Sequence, residues 1–133
     1  MSQGFDLKGS YYSYINKETI PSVFIHGVGL DHKMWNPQIN SLNNYSSITY
    51  DLLGHGQTDY TKSEITLDDF SNQLKSLLEY LKIEKINLIG FSLGSLIALN
   101  FAEKFQDILE TLTLIGTTYK RTDEQRAKVL ERF

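Results

Sequence analysis

Short apolar segments alternate with longer amphipathic segments along this chain, and the alternation limits the folds that it can adopt. Five short segments are rich in β-branched or aromatic residues, and each is followed by a glycine, an asparagine, an aspartate or a histidine. They are residues 11–15, 23–25, 47–50, 86–89 and 111–115. Strands that alternate with helices predict an α/β fold, with a mostly parallel sheet and helices on both of its faces.

The helices are predicted from apolar residues that recur at steps of three and four positions. The clearest helical pattern begins at Thr66, and Asp68 and Asp69 favour a helix N-terminus there. An earlier helix is entered through Asn36 and Pro37, and a charged helix is predicted over residues 123–133. The apolar positions of the first three helices are Met34, Trp35, Ile39 and Leu42; Leu67, Phe70, Leu74, Leu77, Leu78 and Leu81; and Leu96, Ile97, Leu99 and Phe101.

Length and composition predict one domain, or part of one, with its core over residues 11–116. The 133 residues contain no cysteine, which excludes a disulfide scaffold and a cysteine nucleophile. A net charge of -3 without a basic cluster argues against a nucleic-acid partner. No apolar run reaches the ~18 residues of a membrane span, and the N-terminus does not resemble a secretory signal. We therefore expect a cytoplasmic protein without a membrane partner.

The turn from Gly90 to Ser95 carries the most specific chemical signal. In a parallel sheet, ligands bind at the carboxyl ends of the strands, and this turn follows the strand over 86–89. Its Gly-x-Ser-x-Gly form, between a strand and a helix, is typical of a nucleophile elbow. Gly90 and Gly94 then provide the small flanking residues, and Ser92 is the candidate catalytic nucleophile. Alternatively, Ser92 could serve only as a helix N-cap.

A second glycine-rich turn follows the strand over 23–25. It reads His26-Gly27-Val28-Gly29, and it could be an ordinary strand exit. Its functional interpretation is an oxyanion hole, in which the backbone N–H groups of Val28 and Leu93 bind the tetrahedral intermediate of acyl transfer.

These turns, together with Asp51-Leu52-Leu53-Gly54-His55-Gly56, resemble the N-terminal half of an α/β-hydrolase from about Tyr11 to Gly116. The segment from Asp31 to Gln38 is similar to the esterase and lactonase branch, which includes 3-oxoadipate enol-lactonase-like proteins. The resemblance implies a small ester or lactone substrate, no cofactor and an acyl-Ser92 intermediate. It also implies that His26, with Gly27, Gly90 and Gly94, shapes the loops and is not the catalytic base.

The chain departs from that family in its histidines and its length. The triad order of this fold is serine, acid, histidine, whereas His26, His32 and His55 all precede Ser92. The acidic candidates Asp123 and Glu124 fit better as the start of a solvated helix. We therefore expect a truncated hydrolase domain over 1–133, which ends in a lid helix over 122–133 and is inactive alone.

The sequence also leaves other roles open for the histidines and for the elbow. His55 or His32 could replace the missing base, but the turn that holds His55 serves structure in the family. The histidine spacing fits no metal-ligand motif, so no metal site is expected. A non-catalytic module could instead hold a phosphate or small anion at residues 90–95. A GTPase is excluded because the chain lacks the P-loop sequence.

The resemblance to the hydrolase family implies a sheet order in which the strand over 111–115 lies beside the strand over 86–89, with its other side open. Alternating threonine and leucine without proline or lysine makes that side a template for pairing with another chain. Self-association through this edge is therefore predicted.

Overall fold

The computed structural model describes residues 1–116, which contain six strands and three α-helices. The strands are β1 (Ser2–Phe5), β2 (Tyr11–Ile15), β3 (Ser22–Ile25), β4 (Ser47–Tyr50), β5 (Ile86–Phe91) and β6 (Leu109–Ile115). The helices are α1 (Asn36–Ser41), α2 (Leu67–Leu81) and α3 (Leu93–Phe105), and two 3-10 helices cover His32–Trp35 and Gln106–Ile108. The predicted helix over 123–133, the lid helix and the acidic candidates lie outside the described residues.

One sheet contains all six strands, in the order β1-β2-β4-β3-β5-β6. β3 pairs in parallel with β4 and β5, and β5 pairs in parallel with β6. β2 runs antiparallel to both β1 and β4. The prediction of a mostly parallel sheet is confirmed, and β6 lies beside β5 as expected. β1 was not predicted, because a short polar segment gains its strand conformation from pairing with β2.

Helices cover both faces of the sheet. The connection from β3 to β4, which contains α1, moves across the sheet in one direction. The connection from β4 to β5, which contains α2, passes β3 in the opposite direction. Because such crossovers are right-handed, α1 and α2 must lie on opposite faces. The buried side chains agree, since Val23 and Ile25 face the core of α2 and α3, whereas Phe24 packs against Trp35, with ring centroids 5.0 Å apart.

The second helix follows its sequence closely. The Thr66 side chain accepts a hydrogen bond from the Asp69 N–H, and the Asp69 carboxylate accepts one from the Thr66 N–H. This capping box satisfies two backbone donors at the helix N-terminus. The predicted apolar face is buried at Phe70, Leu74, Leu77 and Leu78. None of the helices within residues 1–116 is long and apolar enough to cross a membrane.

The single helix predicted from the spacing of Met34, Trp35, Ile39 and Leu42 is divided into a 3-10 helix and α1. Pro37 has no N–H with which to continue the α-helical pattern back to Lys33. The Lys33 carbonyl instead accepts a hydrogen bond from the Asn36 N–H, which is 3-10 geometry. The Asp31 side chain caps the start of the 3-10 helix through the Lys33 N–H.

Candidate active site

Ser92 is the single residue between β5 and α3, and its backbone is strained. Its φ of 56° and ψ of -114° lie in a region that non-glycine residues rarely adopt. Such a conformation costs on the order of 1–3 kcal/mol and persists only where the surrounding structure enforces it. The Ser92 residue is exposed, so its hydroxyl lies at the surface of the sheet edge.

Hydrogen bonds fix both backbone polar groups of Ser92. Its N–H donates to the Ile115 carbonyl at the end of β6, over 3.0 Å. Its carbonyl accepts two hydrogen bonds from Ser95, one from the N–H at 2.9 Å and one from Oγ at 2.5 Å. Ser92 occupies the N-cap position of α3, but its side chain makes no capping hydrogen bond. The hydroxyl is therefore not used to cap the helix.

Gly90 and Gly94 are required by close packing. A Cβ on Gly90 would overlap the Gly94 carbonyl, and a Cβ on Gly94 would overlap the carbonyl oxygens of Ile25 and His26. These obstacles are backbone atoms, which cannot rotate away as a flexible side chain can. A side chain at Gly94 would push the elbow away from β3, and a side chain at Gly90 would push the first turn of α3 away from β5.

The loop from His26 to Gly29 lies beside the elbow because β3 pairs in parallel with β5. Ile25 and Gly90 are register partners, so the two strands end together at one sheet edge. Val28 is exposed in this loop, and Leu93 begins α3, where the first N–H groups have no partner within the helix. The described structure thus brings Val28, Ser92 and Leu93 to one edge.

His26 is buried and links two turns. Its Nε2 accepts a hydrogen bond from the Leu52 N–H at 3.0 Å, and its Nδ1 lies 2.7 Å from the Gly27 carbonyl oxygen. These partners assign the neutral tautomer with the proton on Nδ1. Burial lowers the pKa of His26, which also favours the neutral ring. Because both ring nitrogens are occupied, His26 has no free nitrogen to act as a base toward Ser92.

His32 and His55 are also bound to the turn that follows β4. His32 Nδ1 lies 2.7 Å from Oδ1 of buried Asp51, and His55 Nδ1 lies 3.0 Å from the Leu53 carbonyl oxygen. Burial alone would raise the pKa of Asp51, but hydrogen bonds from the Gln57 and His32 N–H groups and from the His32 ring lower it overall. Within the described residues, Ser92 Oγ makes no hydrogen bond to any histidine.

Asp31, His32 and Asp51 are the only group in residues 1–116 with the spacing of a metal site, since their ligand atoms lie within 4.8 Å of one another. Existing hydrogen bonds account for them. Asp31 caps the 3-10 helix, and Asp51 accepts from His32 and, through Oδ2, from the Gln57 N–H at 2.9 Å. The cluster therefore stabilises the turn after β4 through these hydrogen bonds.

Several residues of the site were missed by sequence analysis. Ser95 and Ile115 hold the backbone of Ser92, and His32 holds Asp51. The turn that contains Asp51 was recognised, but its partner lies 19 residues earlier. Only the folded sheet brings these groups together.

Comparison with known proteins places the chain in a family. Residues 22–133 match the family described as alpha/beta hydrolase fold. The chain is 34% identical over 113 residues to (E)-2-((N-methylformamido)methylene)succinate hydrolase of Acinetobacter baylyi, covering 84% of this chain and 43% of that protein. It is 41% identical over 78 residues to 3-oxoadipate enol-lactonase 1 of the same organism, covering 58% of this chain and 29% of that protein.

A solved structure agrees with these sequence matches. The thermophilic esterase from Thermogutta terrifontis superposes with a TM-score of 0.81 at 26% identity, over 99% of this chain and 53% of that one. The chain spans less than half of the length of the two curated relatives. It belongs to the α/β-hydrolase fold family and is similar to its enol-lactonases.

Proposed function

We propose that, in the whole protein, this chain supplies the nucleophile and the oxyanion hole of a serine hydrolase. The observation that carries the proposal is the backbone of Ser92, which is held in a strained conformation at a strand-to-helix turn while its hydroxyl makes no capping hydrogen bond to α3. Strain of this kind is retained where a site needs it. An ordinary helix cap would need neither the strain nor the close contact of Gly90 with Gly94.

The proposed reaction begins when Ser92 Oγ attacks the carbonyl carbon of an ester or lactone. The hydroxyl proton passes to a general base, and the new oxyanion accepts hydrogen bonds from the N–H groups of Val28 and Leu93. The intermediate collapses, and the C–O bond to the leaving oxygen breaks as that oxygen takes the proton. Water then attacks the acyl-serine by the same steps and releases the carboxylic acid and free Ser92.

The general base of this proposal lies outside the 133 residues. His26 uses both ring nitrogens within the protein, and the other two histidines brace the turn after β4. No histidine follows Ser92 in the sequence. His26, Gly27, Gly90 and Gly94 have the role of shaping the two loops, and no cofactor is required.

The substrate class is proposed from the relatives. One is named as a lactonase and another as an esterase, and hydrolysis of both substrate types passes through the same tetrahedral oxyanion. We therefore propose a small carboxylic ester or lactone, and a cytoplasmic location in keeping with a chain that has no cysteine.

An anion-binding module is less well supported by the turn. The Ser92 N–H donates to Ile115, and the Ser95 N–H donates to the Ser92 carbonyl. Two backbone donors of the turn are therefore unavailable to a phosphate.

The test uses the whole protein with Ser92→Ala and, as a matched control, Ser63→Ala in an exposed loop. We expect Ser92→Ala to lower turnover of p-nitrophenyl acetate and of simple lactones by several orders of magnitude. Ser63→Ala should change it less than about two-fold. A fluorophosphonate should label Ser92. Wild-type turnover in Ser92→Ala would refute the proposal, and saturable binding of inorganic phosphate without labelling would favour the anion-binding module.

A further inference from the structure

The half-buried ring of Phe91 lies between two glycines of different loops. A Cβ on Gly27 would lie 3.2 Å from Cδ2 and 3.3 Å from Cε2 of Phe91. A Cβ on Gly116 would lie 3.5 Å from Cε1 and 3.7 Å from Cδ1 of the same ring. One edge of the ring therefore faces the loop after β3, and the opposite edge faces the end of β6.

Gly27 is needed for this contact because of space. It is not among the glycines with positive φ, so its backbone could accept another residue. A side chain there would meet the ring at a distance tighter than ordinary van der Waals contact. The absence of a side chain at Gly27 is thus explained by the position of the Phe91 ring.

The ring touches the chain next to both groups of the proposed reaction. Phe91 directly precedes Ser92, and the carbonyl of Gly27 shares its peptide plane with the Val28 N–H. The rigid ring of Phe91 fills the space between its own backbone and Gly27. It can therefore set the distance between Ser92 and the Val28 N–H. Neither edge needs to touch substrate for this effect.

We propose that Phe91 is a positioning residue that holds the loop of Val28 at its working distance from Ser92. This inference rests on the proposed hydrolase function. It predicts that loss of the ring impairs the transition state, in which the oxyanion forms, more than it impairs substrate binding.

The test is Phe91→Ala in the whole protein, with Phe105→Ala near the far end of α3 as a matched loss of an aromatic ring. Phe91→Ala should lower kcat about 10-fold to 100-fold with KM within about two-fold, because a displaced oxyanion donor loses most of its effect. Phe91→Tyr, which keeps the ring, should retain most of kcat. Phe105→Ala should lower thermal stability but leave kcat within about two-fold.

A double-mutant cycle checks the contact itself. Gly27→Ala should lower kcat in the wild type, where the methyl group meets the ring, and should have little further effect in Phe91→Ala. The amide chemical shift of Val28 should change in Phe91→Ala and not in Phe105→Ala. If Phe91→Ala does not fold, Phe91→Leu takes its place in each measurement.

The outcomes separate the two proposals. Wild-type kcat in Phe91→Ala or Phe91→Leu, an equal fall in Phe105→Ala, or additive effects in the cycle would overturn the role of Phe91. If Ser92→Ala remained active, the hydrolase function itself would fail instead.

Discussion

The backbone N–H of Leu52 donates a hydrogen bond of 3.0 Å to Nε2 of His26, 26 residues earlier in the chain. This bond joins the turn after β4 to the loop after β3, and the other ring nitrogen donates to the Gly27 carbonyl oxygen. The buried imidazole of His26 thus bridges two loops of the candidate site, and its loss should lower the free energy of unfolding.

His26→Phe keeps an aromatic ring but leaves the Leu52 N–H without a partner. It also removes one of the two hydrogen bonds that the Gly27 carbonyl accepts, since the Leu30 N–H still donates to that oxygen over 3.3 Å. We expect the free energy of unfolding to fall by about 2 kcal/mol, since a buried N–H left unpaired costs about 1–3 kcal/mol and the Gly27 carbonyl keeps its other donor. The measurement is urea unfolding followed by circular dichroism. The control is His55→Phe, which removes one hydrogen bond of a half-buried ring. An equal loss in both variants would contradict the prediction.

The same histidine should make stability depend on pH. Burial lowers the pKa of His26 in the folded state, so the unfolded state binds the proton more readily. The stabilisation is therefore present above about pH 6.5 and is lost as pH falls toward the folded pKa. Urea unfolding at about pH 7.5 and about pH 5.5 tests this, and His26→Phe should reduce the difference between these two values.

Asp51 should act in a separate and lower pH range. Burial would raise the pKa of its carboxyl, but hydrogen bonds from Gln57 and His32 lower it overall. Its stabilisation is present above the unfolded pKa of about 4 and is lost as pH falls below that value. Asp51→Asn should reduce the pH dependence of the free energy of unfolding below about pH 4 and leave its dependence near pH 6 unchanged. If Asp51→Asn also removed the pH dependence near pH 6, the contributions of His26 and Asp51 would not be separable.

Strain at Ser92 can be measured with two variants that both lack the hydroxyl. Glycine adopts positive φ without steric cost, whereas alanine keeps the penalty. Ser92→Gly should therefore be more stable to unfolding than Ser92→Ala by about 1 kcal/mol. Equal stability of the two variants would mean that the backbone of Ser92 relaxes freely.

Close packing at Gly94 predicts a larger effect. Gly94→Ala brings a methyl group into two backbone carbonyl groups, and we expect a loss of about 3 kcal/mol or more. Gly29→Ala is the control, because its φ is 73° and nothing lies within 4 Å of an added Cβ. It should cost only about 1–2 kcal/mol of backbone strain. Thermal unfolding of both variants makes the comparison.

The 133-residue chain alone should show little esterase activity, since it has no histidine after Ser92. Without a base, the hydroxyl stays unactivated, and only weak assistance from the oxyanion hole remains. The assay is hydrolysis of p-nitrophenyl acetate by the purified chain against its Ser92→Ala variant. Saturable turnover well above that background would contradict the expectation.

Association through β6 is tested by Thr113→Lys. Within residues 1–116, β6 pairs only with β5, and Leu112 and Ile115 are 37% and 42% exposed. A lysine on an edge strand opposes pairing with another chain. Light scattering after size exclusion should show less association in Thr113→Lys than in Thr61→Lys, which adds the same charge in a loop. A monomer at high concentration in the unaltered chain would refute the open edge.

The sequence predicted those parts of the fold that depend on local patterns. The apolar spacing of α2 and its acidic first turn, the strands of the parallel sheet and the elbow around Ser92 are all local. The missed features depend on neighbours that are distant in sequence. β1 becomes a strand only beside β2, Asp51 is satisfied by His32, and the space at Gly27 is filled by Phe91.

The order of the sheet also affects how the site is reached during folding. β3 and β5 are neighbours in the sheet, and Ser22 pairs with Asn87 although β4 and α2 lie between them in the chain. Forming that pair closes a long loop, whose entropy must be lost before the contacts stabilise it. The helices and the β1-β2 hairpin can form early from nearby residues. Val28 and Ser92 reach the same sheet edge only when this long-range pairing is complete. The arrangement of nucleophile and oxyanion donor should therefore form late in folding.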